Sequence, residues 1–144
     1  MRARTPATRS TIARMSSYTK KNLKEDVENQ APKFGMPAEL EARFARTALG
    51  GETLGLSHMK LAPNFRIPFG HKHSGQEEVY VVVRGSARVK VEEDIVELAE
   101  WDAIRFDKDT MRAVEAGPDG VEYLAFGAGD DPRDAETVQD WWSD

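Results

Sequence analysis

His71-Lys72-His73-Ser74-Gly75-Gln76-Glu77-Glu78 runs directly into Val79-Tyr80-Val81-Val82-Val83-Arg84-Gly85. Alternate residues of a strand point to one face, so His71 and His73 can converge on one point. A turn through Ser74 and Gly75 brings Glu77 or Glu78 back toward them. Two imidazoles and one carboxylate are a ligand set for Fe, Mn, Ni or Zn that leaves positions open for a substrate. The β-branched run after Glu78 is too apolar for a strand with one wet face.

Outward from this stretch the pattern is β on both sides. Leu54–Leu61 reads as a strand stopped by Ala62-Pro63-Asn64. After Gly85-Ser86, Ala87, Val89 and Val91 alternate with Arg88, Lys90 and Glu92. Ile95–Leu98 returns after Glu93-Asp94. Ala103–Phe106, Met111–Ala116 and Val121–Phe126 follow, separated by polar or Gly/Pro turns. Short, nearly evenly spaced strands mean a sandwich or barrel. Pro37–Leu49 is expected to hold one helical turn leading into a first strand, because Leu40 and Phe44 are spaced i,i+4 and Gly50-Gly51 would end a helix. Asp134–Trp142 is expected to be a short helix, with Val138 and Trp142 on its apolar side.

The chain has 144 residues, with no cysteine and a net charge of −5. That length suits one domain with a real core. The absence of cysteine excludes disulfides, thiol catalysis and thiolate metal ligands. Seven basic residues and no acid fall in residues 1–24; the rest carries 13 basic and 25 acidic residues, a balance of −12. An acidic body argues against a nucleic-acid partner. There is no apolar run of membrane-spanning or secretory type, so no membrane partner and a cytoplasmic location are expected. The division is a basic, flexible tail at 1–30, a β-barrel at 31–129 and an acidic helical tail at 130–144. That last tail would pack on the barrel or on a partner.

The order of strand, Pro63-Asn64, His71-x-His73, Glu78, six residues and Gly85 resembles the first signature of the cupin superfamily. A degraded second signature runs through Trp101-Asp102, Ile104, Phe106, Asp107, Asp109-Thr110 and Arg112. The resemblance spans roughly residues 40–128. It implies an all-β, cupin-type jelly-roll barrel with short flanking helical segments and a small-molecule pocket inside. The six-residue count to Gly85 selects Glu78 as the third ligand beside His71 and His73. The family's glycines are replaced by Asn64, Trp101 and Asp109, and its fourth ligand, a histidine, by Arg112. By analogy the chain is expected to form a homodimer.

Arg112 sets the alternatives. A guanidinium cannot coordinate a metal and repels one nearby. It can turn aside, leaving a three-ligand site for Fe, Mn, Ni, Co or Zn. It can pair with Glu78 in a metal-free site. It can clamp an anionic ligand with its planar fork. Tyr80 shares strand parity with Glu78 and is expected to line the pocket, where with Arg112 it is a candidate catalytic group. His58 and Gln76 are further pocket candidates, His58 as a replacement ligand or a packed strand histidine. An enzyme acting on a small acid or sugar, a binding module and a relic site are all open, because one fold serves many functions.

Overall fold

A computed structural model describes residues 17–129 and 133–144. Eight strands form one curled sheet: β1 Leu40–Phe44, β2 Leu54–Leu61, β3 Gly70–His73, β4 Glu77–Val91, β5 Asp94–Leu98, β6 Ala103–Phe106, β7 Arg112–Ala128 and β8 Ala135–Val138. β7 is the hub. It pairs with β2 through residues 121–128, with β4 along both halves, and with β3 where Arg112 faces His71. β5 and β6 pair with β4, β1 with β2, and β8 with β3. The all-β barrel expected from the sequence is the architecture found. Its core holds Leu61, Val82, Val89, Phe106 and Val121, each at most 1% exposed. None of the helices among the described residues is long and apolar enough to cross a membrane.

β4 and β7 are longer than the turn signals imply. Gly85-Ser86 and Gly117–Gly120 do not end strands; the ladder shifts register between Val82 and Arg84 and again between Gly85 and Ala87. Gly85 and Gly120 take φ of 80° and 81°. A Cβ on Gly85 would lie 2.0 Å from the Gly120 carbonyl oxygen, so only glycine permits this approach. Bulges of this kind bend both strands together and curl the sheet.

Near the start of the barrel the expected order is reversed. β1 comes first, and the helical turn Arg46–Leu49 follows it, stopped at Gly50 with φ 73°. Leu40 and Phe44 satisfy i,i+4 spacing, but with Ala42 they also satisfy i,i+2. Leu40 and Ala42 are buried and face the cavity, so the strand period prevails. Asn29 Oδ1 accepts the N–H of Ala31 and of Ala42, and Val27 and Ala31 are buried against the barrel. Of the basic segment, residues 1–16 lie outside the described residues.

The expected C-terminal helix is also corrected. Residues Ala135–Val138 run extended, antiparallel to β3 from Gly70 opposite Val138 to His73 opposite Ala135. The open edge of β3 offers backbone partners over four residues, which outweigh one i,i+4 apolar pair. Beyond β8 the chain is clasped to the barrel. Trp142 Nε1 donates to the Ile67 carbonyl at 2.8 Å, and the Arg66 guanidinium sits 4.1 Å from the Trp142 ring. Lys90 Nζ donates to the Trp141 carbonyl at 2.7 Å and lies 4.0 Å from its ring. The C-terminal segment is therefore a strap held at its tip by two tryptophans.

Candidate functional site

The barrel encloses a cavity of about 630 Å³. Its walls are apolar: Leu40 and Ala42 from β1, Met59 from β2, Tyr123 and Ala125 from β7, and Phe34 and Met36 from the turn before β1. Polar groups gather on one part of the wall. β3 contributes His71 and His73, β4 contributes Glu78 and Tyr80, and Gln76 stands between those strands. Strand parity places Glu78 and Tyr80 on the same face, and Ala135 and Thr137 of β8 complete the wall beside them.

The ligating atoms of His71, His73 and Glu78 lie within 4.8 Å of one another. His71 Nε2 is 3.9 Å from Glu78 Oε1, and His73 Nε2 is 3.8 Å from Glu78 Oε2. The two imidazoles meet edge to face with centroids 5.3 Å apart. The Tyr80 hydroxyl lies 3.5 Å from His71 Nε2. Arg112 Nη2 donates to Glu78 Oε1, and Nη1 donates to the Thr110 carbonyl at 2.9 Å. The guanidinium carbon lies 4.6 Å from the Phe106 ring centroid, which fixes the fork from the side.

Burial pulls the His71 pKa below its ordinary value, which favours the neutral imidazole. Burial works against the Glu78 charge, but His71, Arg112 and His73 together outweigh it and hold the carboxyl below the usual range. Burial raises the Tyr80 hydroxyl, with the neighbouring Glu78 charge adding to it, so Tyr80 stays protonated.

The positions of the missing glycines support the alignment of both signatures. Asn64, Trp101 and Asp109 all take left-handed φ, at 61°, 70° and 64°. Asp102 Oδ2 accepts the Ala99 N–H at 2.8 Å, which closes the turn that carries Trp101. Three non-glycine residues thus adopt a conformation that glycine adopts without strain.

Compared as a sequence, the chain matches no protein-family model and no curated protein. Compared as a fold, it is similar to a cupin protein from Bacteroides fragilis, with 20% identity, a TM-score of 0.65, and coverage of 90% of this chain and 99% of that one. It is also similar to oxalate decarboxylase from Bacillus subtilis, a protein with Mn(II) centres, at 24% identity and a TM-score of 0.65. That match covers 79% of this chain and 30% of the decarboxylase. A Streptomyces PAC13 variant with uridine matches at 12% identity and a TM-score of 0.67, covering 83% of this chain and 90% of that one. The chain has the cupin fold.

Within this fold the expected site residues separate. His71, His73, Glu78, Tyr80 and Gln76 share the cavity wall. Arg112 does not reach that wall; at 1% exposure it stands behind Glu78 with both Nη groups occupied. His58 is elsewhere. Ser57 and Met59 face the cavity, so His58 between them faces away, and its Nε2 lies 2.9 Å from Glu122 Oε1. The sequence reading missed Asp134. Its Oδ1 accepts from His73 Nδ1 at 2.6 Å and from Gln76 Nε2 at 3.0 Å, and its Oδ2 accepts the Gly75 N–H at 2.7 Å. Nothing in the sequence marks Asp134 out, because its role depends on β8 docking beside β3.

Proposed function

We propose that this cupin binds a small molecule inside its barrel, with an apolar body against the cavity wall and a polar end at His71, His73 and Glu78. The carrying observation is the cavity itself: apolar on most sides, with convergent polar groups at one place. Such cavities are the usual form of a small-ligand site. Of the roles open to Arg112, pairing with Glu78 is favoured over clamping an anion. Nη2 donates to Glu78 and Nη1 to Thr110, Nε is buried without a partner, and the side chain stands off the cavity wall. Arg112 then acts by holding Glu78 ionised and oriented. Whether turnover follows binding depends on the ligand; Tyr80 is the group placed to give or hold a proton beside His71.

A second reading is favoured by a specific observation. Asp134 holds His73 by Nδ1 and leaves Nε2 facing Glu78, the outer-sphere arrangement that orients metal-ligating histidines. The residues fit a divalent ion as a three-donor set of His71, His73 and Glu78 through its Oε2, while Arg112 stands in place of a fourth donor. Bound there, Fe, Mn, Ni, Co or Zn would supply Lewis acidity or a redox centre for chemistry on a small acid or sugar.

The cavity reading is tested with a neutral solvatochromic dye, N-phenyl-1-naphthylamine. Blue-shifted, saturable fluorescence is expected, and it should be lost in Ser57→Phe, which fills the cavity from β2, while circular dichroism stays unchanged. Binding that survives Ser57→Phe in the folded protein would place the dye outside the barrel.

A further inference from the structure

β1 turns alternate residues toward the cavity, and the alternation runs past the end of the strand: Leu40, Ala42, Phe44 and then Arg46 all line it. Arg46 opens the helical turn after β1, and among the described residues it is the only lysine or arginine on the cavity wall. Its Nη2 donates to the Glu52 carbonyl, while Nη1 is buried with no partner. Among the described residues no carboxylate pairs with it. An enclosed guanidinium donor without an acceptor is costly, and an acceptor from a ligand would relieve it.

The way from Arg46 into the cavity is open. Phe34 and Phe44 are both exposed and both line the cavity, and their rings meet edge to face with centroids 6.3 Å apart, which makes them its apolar rim. The Ala45 N–H donates to the Leu56 carbonyl at 2.8 Å, so Arg46 stands beside the Gly55 end of β2. Gly55 pairs with Gly127 on β7, and Gly127 pairs with Glu78 on β4. Both glycines line the cavity, so no side chain rises from this row between β2 and Glu78. A Cβ on Gly55 would meet only the Gly127 carbonyl oxygen, at 3.6 Å. Three neighbouring strands make the row roughly 10 Å long.

We propose that Arg46 is an anion subsite at the rim of the cavity, and that the ligand is an amphiphilic carboxylate. Its carboxylate sits on Arg46, and its apolar body lies over the glycine row toward Glu78. Rotation about the long arginine stem turns the unspent donor onto a ligand oxygen and displaces no carboxylate partner. The inference deepens the small-molecule reading above and rests on it: that reading supplies the cavity, and Arg46 supplies the charge of its ligand.

The test uses two probes of matched size, 4-phenylbutyrate and the neutral 4-phenylbutanamide, each displacing N-phenyl-1-naphthylamine from the full chain. The carboxylate should bind about 10-fold more tightly than the amide, as expected for a hydrogen bond between charged groups. Arg46→Gln should bring the two within about 2-fold by weakening the carboxylate alone, with amide and dye affinities unchanged. Should that variant fail to fold, Arg46→Lys decides, because it keeps the charge but not the planar fork, and the preference should fall to about 3-fold. A carboxylate preference that survives these substitutions in folded protein would overturn the inference and place the anion elsewhere, on a metal at His71 and His73 included. Dye binding without a carboxylate preference in wild type removes this inference alone; absence of dye binding removes the cavity reading beneath it.

Discussion

Arg112 is the residue on which this site turns. In the cupin pattern its position carries a histidine ligand; here it carries a fixed positive charge. Removing one partner of a buried ion pair leaves the other charged and unsatisfied, which costs about 3–5 kcal/mol. Arg112→Ala is therefore expected to destabilise the protein by about that amount, measured by urea denaturation. The double variant Arg112→Met/Glu78→Gln should recover much of it, because both charges leave together. A single variant as stable as wild type would show that the pair contributes nothing. Arg112 was legible in the sequence as the odd residue of the second signature, but its direction was not. The three roles open to it differ only in where the guanidinium points, and Phe106, Thr110 and Glu78 decide that from three different places in the chain.

Turns carry the next level of information. The β4–β7 pairing shows that Gly85 and Gly120 act as paired bends within long strands, which local turn signals alone could not distinguish from strand ends. The C-terminal strand was hidden for a related reason. Val138 and Trp142 fit a helical period, and only the free edge of β3 makes the extended form better. By contrast His71 and His73 were readable because period-2 alternation needs no distant partner; the resemblance to the cupin spacing then selected Glu78, and strand parity carried Tyr80 with it. Trp101 provides a test at this scale. It holds φ 70° and is 71% exposed, so the residue carries backbone strain without compensating burial. Left-handed φ costs a non-glycine residue roughly 1–2 kcal/mol. Trp101→Gly is expected to be more stable than Trp101→Ala by about 1 kcal/mol, the reverse of the usual order. Equal melting temperatures would mean the turn relaxes out of that conformation.

Across the whole molecule, charged clusters tie distant segments onto the barrel. Glu122 on β7 gathers His58 from β2, Arg84 from β4 and Lys24 from the segment before β1. Burial works against its charge, but hydrogen bonds from Arg84, Lys24 and His58 outweigh that and hold the carboxyl at about 2 rather than 4.5. A lowered folded pKa gives stability that is fully present above about 4.5 and lost as the pH falls through about 2. Each pKa step is worth about 1.4 kcal/mol, discounted here because Lys24 and Arg84 are exposed. Acid unfolding should therefore lose roughly 1–3 kcal/mol over that window, and Glu122→Gln should remove this part of the pH dependence. In this molecule the Glu78–Arg112 pair is proposed to take the place of a metal ligand in a small-molecule cavity. The deciding measurement is elemental analysis of purified wild type and Arg112→His after exposure to Fe, Mn, Ni, Co and Zn. Wild type is expected to carry no stoichiometric metal and Arg112→His about one equivalent, because the substitution restores a donor and removes a charge. One equivalent in wild type that is lost in His73→Ala would contradict it and establish the three-donor metal site instead.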